Sequence, residues 1–380
     1  MAKRILNGGN AIQIEPKVIS ASGEGSGQTY SQATHYFALD GVRVMAAVAV
    51  LFWHYQHFFM PSALSQVTPA QRMLSPLYSF FGPIYDYGYI AVQIFWILSG
   101  FVFAAVYVER QVTNVSFFWA RFARLYPLHM FTLIVVATLQ SLSVAVVGHE
   151  QIYSYNDWYH FILQVFMASQ WGFQHGSSFN GPIWSVSVEI LLYLAFWLVL
   201  PLIRKAQLNV AFILALICWI FANFSEAAGY LVWTGGSYFF AGVAVWRFQN
   251  KTQSRPSIIA CFAALSFASG LIILARLPQF ENSLAVPMIA IGLLGLALAL
   301  DRSALQRYLK HTKPMGDLTY GIYLWHVPVQ IAALIALQYR GASNLAYSPY
   351  FLIGFLFTVI ALAAVSFRYF ELPLRVKFRR

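Results

Sequence analysis

Ten apolar runs, each about twenty residues long, decide what this chain can fold into. They cover residues 39–60, 88–108, 127–147, 183–202, 208–224, 229–248, 257–277, 283–300, 317–337 and 350–370. About 20 consecutive apolar residues in a helix cross the ~30 Å hydrocarbon core of a bilayer. Only 10% of the 380 residues are charged and 59% are hydrophobic, whereas an ordinary soluble domain carries about 25% charged residues. The fold class expected is therefore all-α: a polytopic membrane protein, a bundle of about ten transmembrane helices. Pro127 and Pro182 suit first helical turns, where a missing N–H costs nothing. A further stretch, 155–168, is apolar on one side and short, which suits an interfacial or re-entrant helix. Residues 1–36 differ in kind. They are polar, include the Gly/Ser-rich "ASGEGSGQTYSQAT" and lack the continuous apolar core of a signal peptide. They read as a disordered cytoplasmic tail ahead of a single transmembrane domain over 37–380.

The charges are distributed by topology. Of the 24 Lys and Arg, 21 fall in the N-terminal tail, the even-numbered connections and the C-terminal end; the other connections hold Arg72, Arg276 and Arg340. The positive-inside rule puts the first set, and with it both termini, in the cytoplasm of a cell's inner membrane. The net charge of +11 is thus a matter of orientation and gives no reason to invoke nucleic acid. Cys218 and Cys261 offer neither a disulfide framework nor metal-ligand spacing, and no metal site is expected.

Ionisable groups at depth in lipid are costly, so each is a candidate for function. Arg43 and His54 are eleven residues apart, which places them on one helix face within about 20° and separates them by ~16 Å. Arg43 lies toward the cytoplasmic end. His54 and Glu189 each fall ~9 Å from the outer end of their spans, so an imidazole and a carboxylate share one depth. That suits a base and the group that orients it. The competing reading of His54 is a hydrogen-bonding bridge between helices. His57, one turn nearer the outside, suits the interface. His326 in "YLWHVP" suits a second polar wall of a cavity or a packing contact, with packing favoured, and Asp40 can neutralise Arg43. Arg121 and Arg124 in "FFWARFARLYP" sit one turn apart at the cytoplasmic mouth. From spacing alone, anchoring to anionic headgroups outweighs phosphate recognition for that pair. In "GPIWSVSVE", Trp184, Ser185 and Ser187 stand beside Glu189, where they can bind a hydroxylic substrate or satisfy backbone groups. The aromatic residues of the outer loop 148–181 suit sugar stacking or an interfacial belt.

Six stretches together resemble one family. They are "LDGVRVMAAVAVLFWH", "VQIFWILSGFVF", "RFARLYP", "PIWSVSVEILLYL", "LTYGIYLWHVPV" and "RYFELPLR". In this order they resemble the integral-membrane acyltransferase-3 family, whose members include O-acetyltransferases of bacterial polysaccharides. Within that family a basic residue, ten residues and a histidine mark the first span, and Arg43 and His54 match it. The resemblance implies that His54 is catalytic, that Glu189 is the acidic residue of the tryptophan–serine motif, and that Arg121 and Arg124 bind acyl-CoA. For the arginine pair it thereby reverses the preference for headgroup anchoring that spacing alone gives. Departures are Val44 where a glycine is usual, Ile190 where a second acidic residue often follows, and Leu372 where an arginine often stands.

The function expected is therefore acyl-CoA-dependent O-acyl transfer, by an O-acetyltransferase in the first instance. The acceptor would be a sugar hydroxyl of an exported or surface polysaccharide or its lipid-linked precursor. Acetyl-CoA or another acyl-CoA would be the donor substrate, with no permanently bound cofactor. His54 and Glu189 would be catalytic; Arg43, Arg121 and Arg124 would hold the donor; Trp184, Ser185, Ser187 and His326 would contact substrate. The alternatives are a proton-coupled secondary transporter, against which the lack of a repeated half argues, and the same chemistry on a lipid, peptidoglycan or macrolide acceptor.

Overall fold

A computed structural model of the chain describes residues 35–60, 67–110, 112–206, 208–224, 230–251 and 256–377. The tail expected over 1–36 lies outside the described residues as far as position 34. Helices dominate and no strand occurs among the described residues. In chain order the longer ones are α1 (Phe37–His54), α2 (Tyr78–Tyr87), α3 (Ala91–Tyr107), α4 (Asn114–Val147), α5 (Trp158–Val165) and α6 (Ile183–Ala206). There follow α7 (Leu208–Phe224), α8 (Tyr230–Lys251), α9 (Pro256–Arg276), α10 (Val286–Asp301), α11 (Lys313–Tyr339) and α12 (Pro349–Ser366). Among the described residues, 8 helical segments are long and apolar enough to cross a membrane. They comprise α1, the α2–α3 segment, α4, α6, α9, α10, α11 and α12 with their short extensions. The two remaining apolar runs also form helices. α7 has 17 residues, and α8 is an unbroken helix of 22 residues whose apolar run is interrupted by Thr234, Gly235, Gly236 and Ser237. The chain is an all-α polytopic membrane protein.

Three local outcomes differ from the sequence reading. Pro127 does not begin a helix; α4 starts thirteen residues earlier at Asn114, where the Thr113 side chain accepts from the Ser116 N–H at 3.2 Å. A capped start and apolar packing carry the helix through the one bond that the proline ring removes. Arg121 and Arg124 therefore sit on a helix, whose geometry aims them, and not in the loop before it. The expected interfacial helix shortens to Trp158–Val165, with Asp157 capping the His160 N–H at 2.9 Å. Upstream of α3 the apolar segment reaches back to Tyr78 through the single 3₁₀ turn Gly88–Ile90.

Two centres of packing organise the bundle. α11 lies against α1, α4 and α12, and α8 lies against α3 and α7. Glycine makes the α3–α8 crossing close: a Cβ on Gly100 would run into the Phe239 carbonyl, and one on Gly242 into the Ile97 carbonyl. Between helices in lipid, where apolar surface has no water to escape, close backbone approach of this kind supplies the attraction. Arg204 ties the C-terminal ends of α6 and α3 together, donating from Nε to the Val108 carbonyl at 3.1 Å and from Nη2 to the Tyr107 carbonyl at 2.9 Å. These are the last carbonyls of α3, which lack intrahelical partners.

Candidate active site

α1, α3, α4, α6 and α11 enclose a cavity of about 740 Å³, its open mouth included. Its charged lining comprises Arg43 from α1, Arg121 and Arg124 from α4, and Glu189 from α6. Ser99, Ser185, Tyr193, Thr319, Tyr320 and Tyr323 add hydroxyls. The residues meet because of helical spacing. Arg121 and Arg124 are three apart, and Ser185, Glu189 and Tyr193 are four apart, so each set lines one face of its helix.

Each charge in the cavity is held differently. Glu189 Oε1 accepts from Ser99 Oγ at 2.5 Å and from the Tyr193 hydroxyl at 2.5 Å. The Arg121 guanidinium lies over aromatic rings, 5.0 Å from the centroid of Phe103, 5.8 Å from Tyr107 and 6.0 Å from Tyr193. A planar guanidinium suits such stacking as an ammonium does not. Arg43 reaches Asp40 Oδ1 at 3.5 Å, the neutralising contact expected from their spacing. Asp40 also accepts from His35 Nε2 at 2.7 Å. Arg124 makes no hydrogen bond or ion pair among the described residues.

His54 stands apart from this cavity. It is the last residue of α1, where the helix tightens into the 3₁₀ turn Tyr55–Phe59. Its Nδ1 lies 3.0 Å from the Val50 carbonyl, one turn back. That bond places the proton on Nδ1 and leaves the lone pair on Nε2. Here the structure corrects the sequence reading. Equal depth does not bring Glu189 to His54: the carboxylate is engaged by Ser99 and Tyr193, and the Val50 carbonyl orients the imidazole.

Around His54 there is instead a cluster of rings. The His326 centroid lies 4.8 Å away and the His57 centroid 5.2 Å away. Gln330 bridges the cluster, donating from Nε2 to the His54 carbonyl at 2.6 Å while its Oε1 faces His57 Nδ1 at 3.3 Å. His57 is buried beside Tyr153, whose ring is 5.8 Å away, and so is not the interfacial residue expected. His326 is fully buried and lines no part of the cavity. Among the described residues, no three His, Cys, Asp or Glu side chains converge as metal ligands.

The tryptophan–serine motif divides. Ser185 faces the cavity, its Oγ 2.7 Å from the Tyr323 hydroxyl. Ser187 cannot share that face, because two residues along a helix turn through about 200°. Its Oγ accepts from the Gln170 N–H at 3.1 Å and its carbonyl from Trp171 Nε1 at 3.0 Å, so it holds the outer loop. Trp184 packs edge-on against Trp96 at 5.7 Å and does not line the cavity. Sequence reasoning passed over Ser99, Tyr193, Tyr323 and Gln330. Tyr193 had a signal in its four-residue offset from Glu189, and Gln330 in its four-residue offset from His326.

The segment 148–181 is anchored to α6 through Ser187. His160 is buried, with Nδ1 2.9 Å from Asp157 Oδ1, and its Nε2 accepts from the His175 N–H at 3.1 Å. The His160 backbone N–H and then its ring hold the exposed Asp157 carboxyl below its ordinary value.

The family described as an acyltransferase domain matches residues 36–367. The chain is 32% identical to the acyltransferase MdmB of Streptomyces mycarofaciens over 44% of this chain and 40% of that one. It is 23% identical to the peptidoglycan O-acetyltransferase OatA of Listeria monocytogenes, over 89% of this chain and 55% of that one. It is 27% identical to the exopolysaccharide production protein ExoZ of Rhizobium meliloti, over 64% and 77% respectively. The chain thus spans about half the length of the first two relatives. No solved structure matches it.

Proposed function

The chain belongs to the acyltransferase family whose domain spans nearly all of it, and from that premise we propose that it moves an acyl group, acetyl in the first instance, from acyl-CoA to a sugar hydroxyl. The acceptor on this reading is an exported or surface polysaccharide or its lipid-linked precursor. One observation carries the proposal: Arg43, Arg121 and Arg124 converge on a single cavity from two helices. Three guanidiniums facing one space suit the phosphates of a nucleotide-bearing donor, with charge-assisted and bidentate hydrogen bonds. The many basic residues near that end support a cytoplasmic position for it and for both termini, in an inner membrane.

The donor's extended arm then rises along the face of α1 from Arg43 toward His54, a distance of ~16 Å. His54, with its lone pair on Nε2, removes the proton of the acceptor hydroxyl. Glu189 acts within the donor cavity, where its charge balances the arginines and its hydroxyl partners hold it in place. ExoZ and OatA act in exopolysaccharide production and on peptidoglycan by their names; glycan acceptors of this kind fit the aromatic outer loop. The test is purified protein in nanodiscs with labelled acetyl-CoA and no ion gradient. Acyl transfer or slow acyl hydrolysis is the expected result. Uptake of a solute that needs a proton gradient, without turnover of the thioester, would establish a transporter instead. Mass spectrometry of surface glycans from cells with and without the protein identifies the acceptor.

A further inference from the structure

Acyl transfer releases a proton in one place and needs it in another. The acceptor O–H bond breaks as its oxygen joins the acyl carbon; the C–S bond breaks and the departing sulfur takes up a proton. On the reading above the proton is removed at His54, while the donor occupies the cavity on the other side of Tyr323. Between them lies His326. Its side chain is fully buried, and neither ring nitrogen meets hydrogen-bond geometry with any described group. A buried polar ring without such a bond costs about 1–3 kcal/mol in proteins. A purely structural position would be filled more cheaply by an apolar side chain.

Its neighbours on both sides carry protons. The His54 centroid is 4.8 Å away and the Tyr323 centroid 5.8 Å away. The Tyr323 hydroxyl lies 2.8 Å from the Pro182 carbonyl and 2.7 Å from Ser185 Oγ, and Tyr323 and Ser185 both line the donor cavity. We propose that His326 is a positioning residue that returns the proton: it passes from His54 Nε2 through the His326 ring to the Tyr323 hydroxyl and so to the departing sulfur. No co-reactant is needed, since the proton taken from the acceptor is the one the thiol gains. This inference rests on the reading of His54 as the base.

The experiment uses the full chain in nanodiscs with labelled acetyl-CoA and compares His54→Gln, His326→Gln, His326→Ala and Tyr323→Phe. His326→Gln is expected to lower kcat roughly tenfold or more with KM for acetyl-CoA little changed. Added imidazole should restore part of the rate to His326→Ala. A residue that serves only packing would shift the thermal midpoint and leave both readouts alone. If His54→Gln keeps full activity, the base assignment fails, and the relay with it. If His54→Gln is inactive while His326→Gln and Tyr323→Phe turn over at the native rate, the relay alone is overturned. Should the His326 variants not fold, Tyr323→Phe decides: an unchanged kcat refutes the relay, and a lowered kcat at unchanged KM and midpoint supports it.

Discussion

Arg124 is the cleanest place to test the donor cavity, because its removal strands nothing. Glu189 has two hydroxyl donors and Arg121 rests on three rings, so changing either disturbs the protein as well as the ligand. Arg124 lines the cavity half-buried, and no described group accepts a hydrogen bond from it. Arg124→Ala should therefore leave thermal stability nearly unchanged. A hydrogen bond to a charged group contributes about 1.5–3 kcal/mol. Partial exposure screens the pair, so the lower end applies, about 1.5 kcal/mol. At 1.4 kcal/mol per decade the affinity for CoA falls roughly tenfold. Titration calorimetry in detergent measures it directly. Repeating the titration with dephospho-CoA locates the contact: if Arg124 binds the 3′-phosphate, native and variant proteins bind dephospho-CoA alike. Equal CoA affinity for native and Arg124→Ala protein, at low and at moderate salt, would refute a phosphate-binding role and return the residue to headgroup anchoring.

Glu189→Ala leaves the Ser99 and Tyr193 hydroxyls without their shared acceptor, so it should cost about 1–3 kcal/mol in thermal melts; Glu189→Gln, which keeps an oxygen there, should cost less stability but still slow turnover. Gly242→Leu drives a side chain into the Ile97 carbonyl at the α3–α8 crossing; overpacking costs about 1–3 kcal/mol and sometimes more, and size-exclusion profiles should show aggregated protein. The outer loop gives a pH prediction. Asp157 is held below its ordinary 3.8 by the His160 N–H and ring, so its contribution is present above that value and is lost as pH falls through the lower folded value. Hydrogen exchange of the α5 amides should stay protected from neutral pH down to about 4 and accelerate below it, and Asp157→Asn should flatten that dependence.

How far the sequence carries can be seen at individual residues. Spans were legible because apolar length is a one-dimensional property, and the bundle follows from it. The co-facial placement of Arg43 and His54 was legible too, since both lie on one helix. Relations between helices were not. Depth placed His54 and Glu189 at one level, but the rotation of α6 about its own axis was unknown. That rotation turns Glu189 toward Ser99 and leaves His54 with a backbone carbonyl. Of the two roles open to Ser187, satisfying a backbone group is the one its contact with the Gln170 N–H meets, and the two-residue offset from Ser185 already excludes a common face. Thr113 was an available start signal for α4, outweighed by the apolar run that begins near Pro127.

On the proposed reading, two tasks that the motif spacing merges fall to separate places. Cations and a carboxylate gather in the cavity; imidazole and tyrosine rings gather around His54. Tyr323 lines the cavity, and His326, one turn along the same helix, packs against His54. Such a division has a physical rationale. An arginine close to His54 would oppose the imidazolium that forms when the base takes a proton, and a carboxylate there would hold that proton and slow its return. Keeping Arg43 ~16 Å away along α1 would leave His54, if it is the base proposed above, free to accept a proton and to give it up, provided that a neighbouring ring can carry it back.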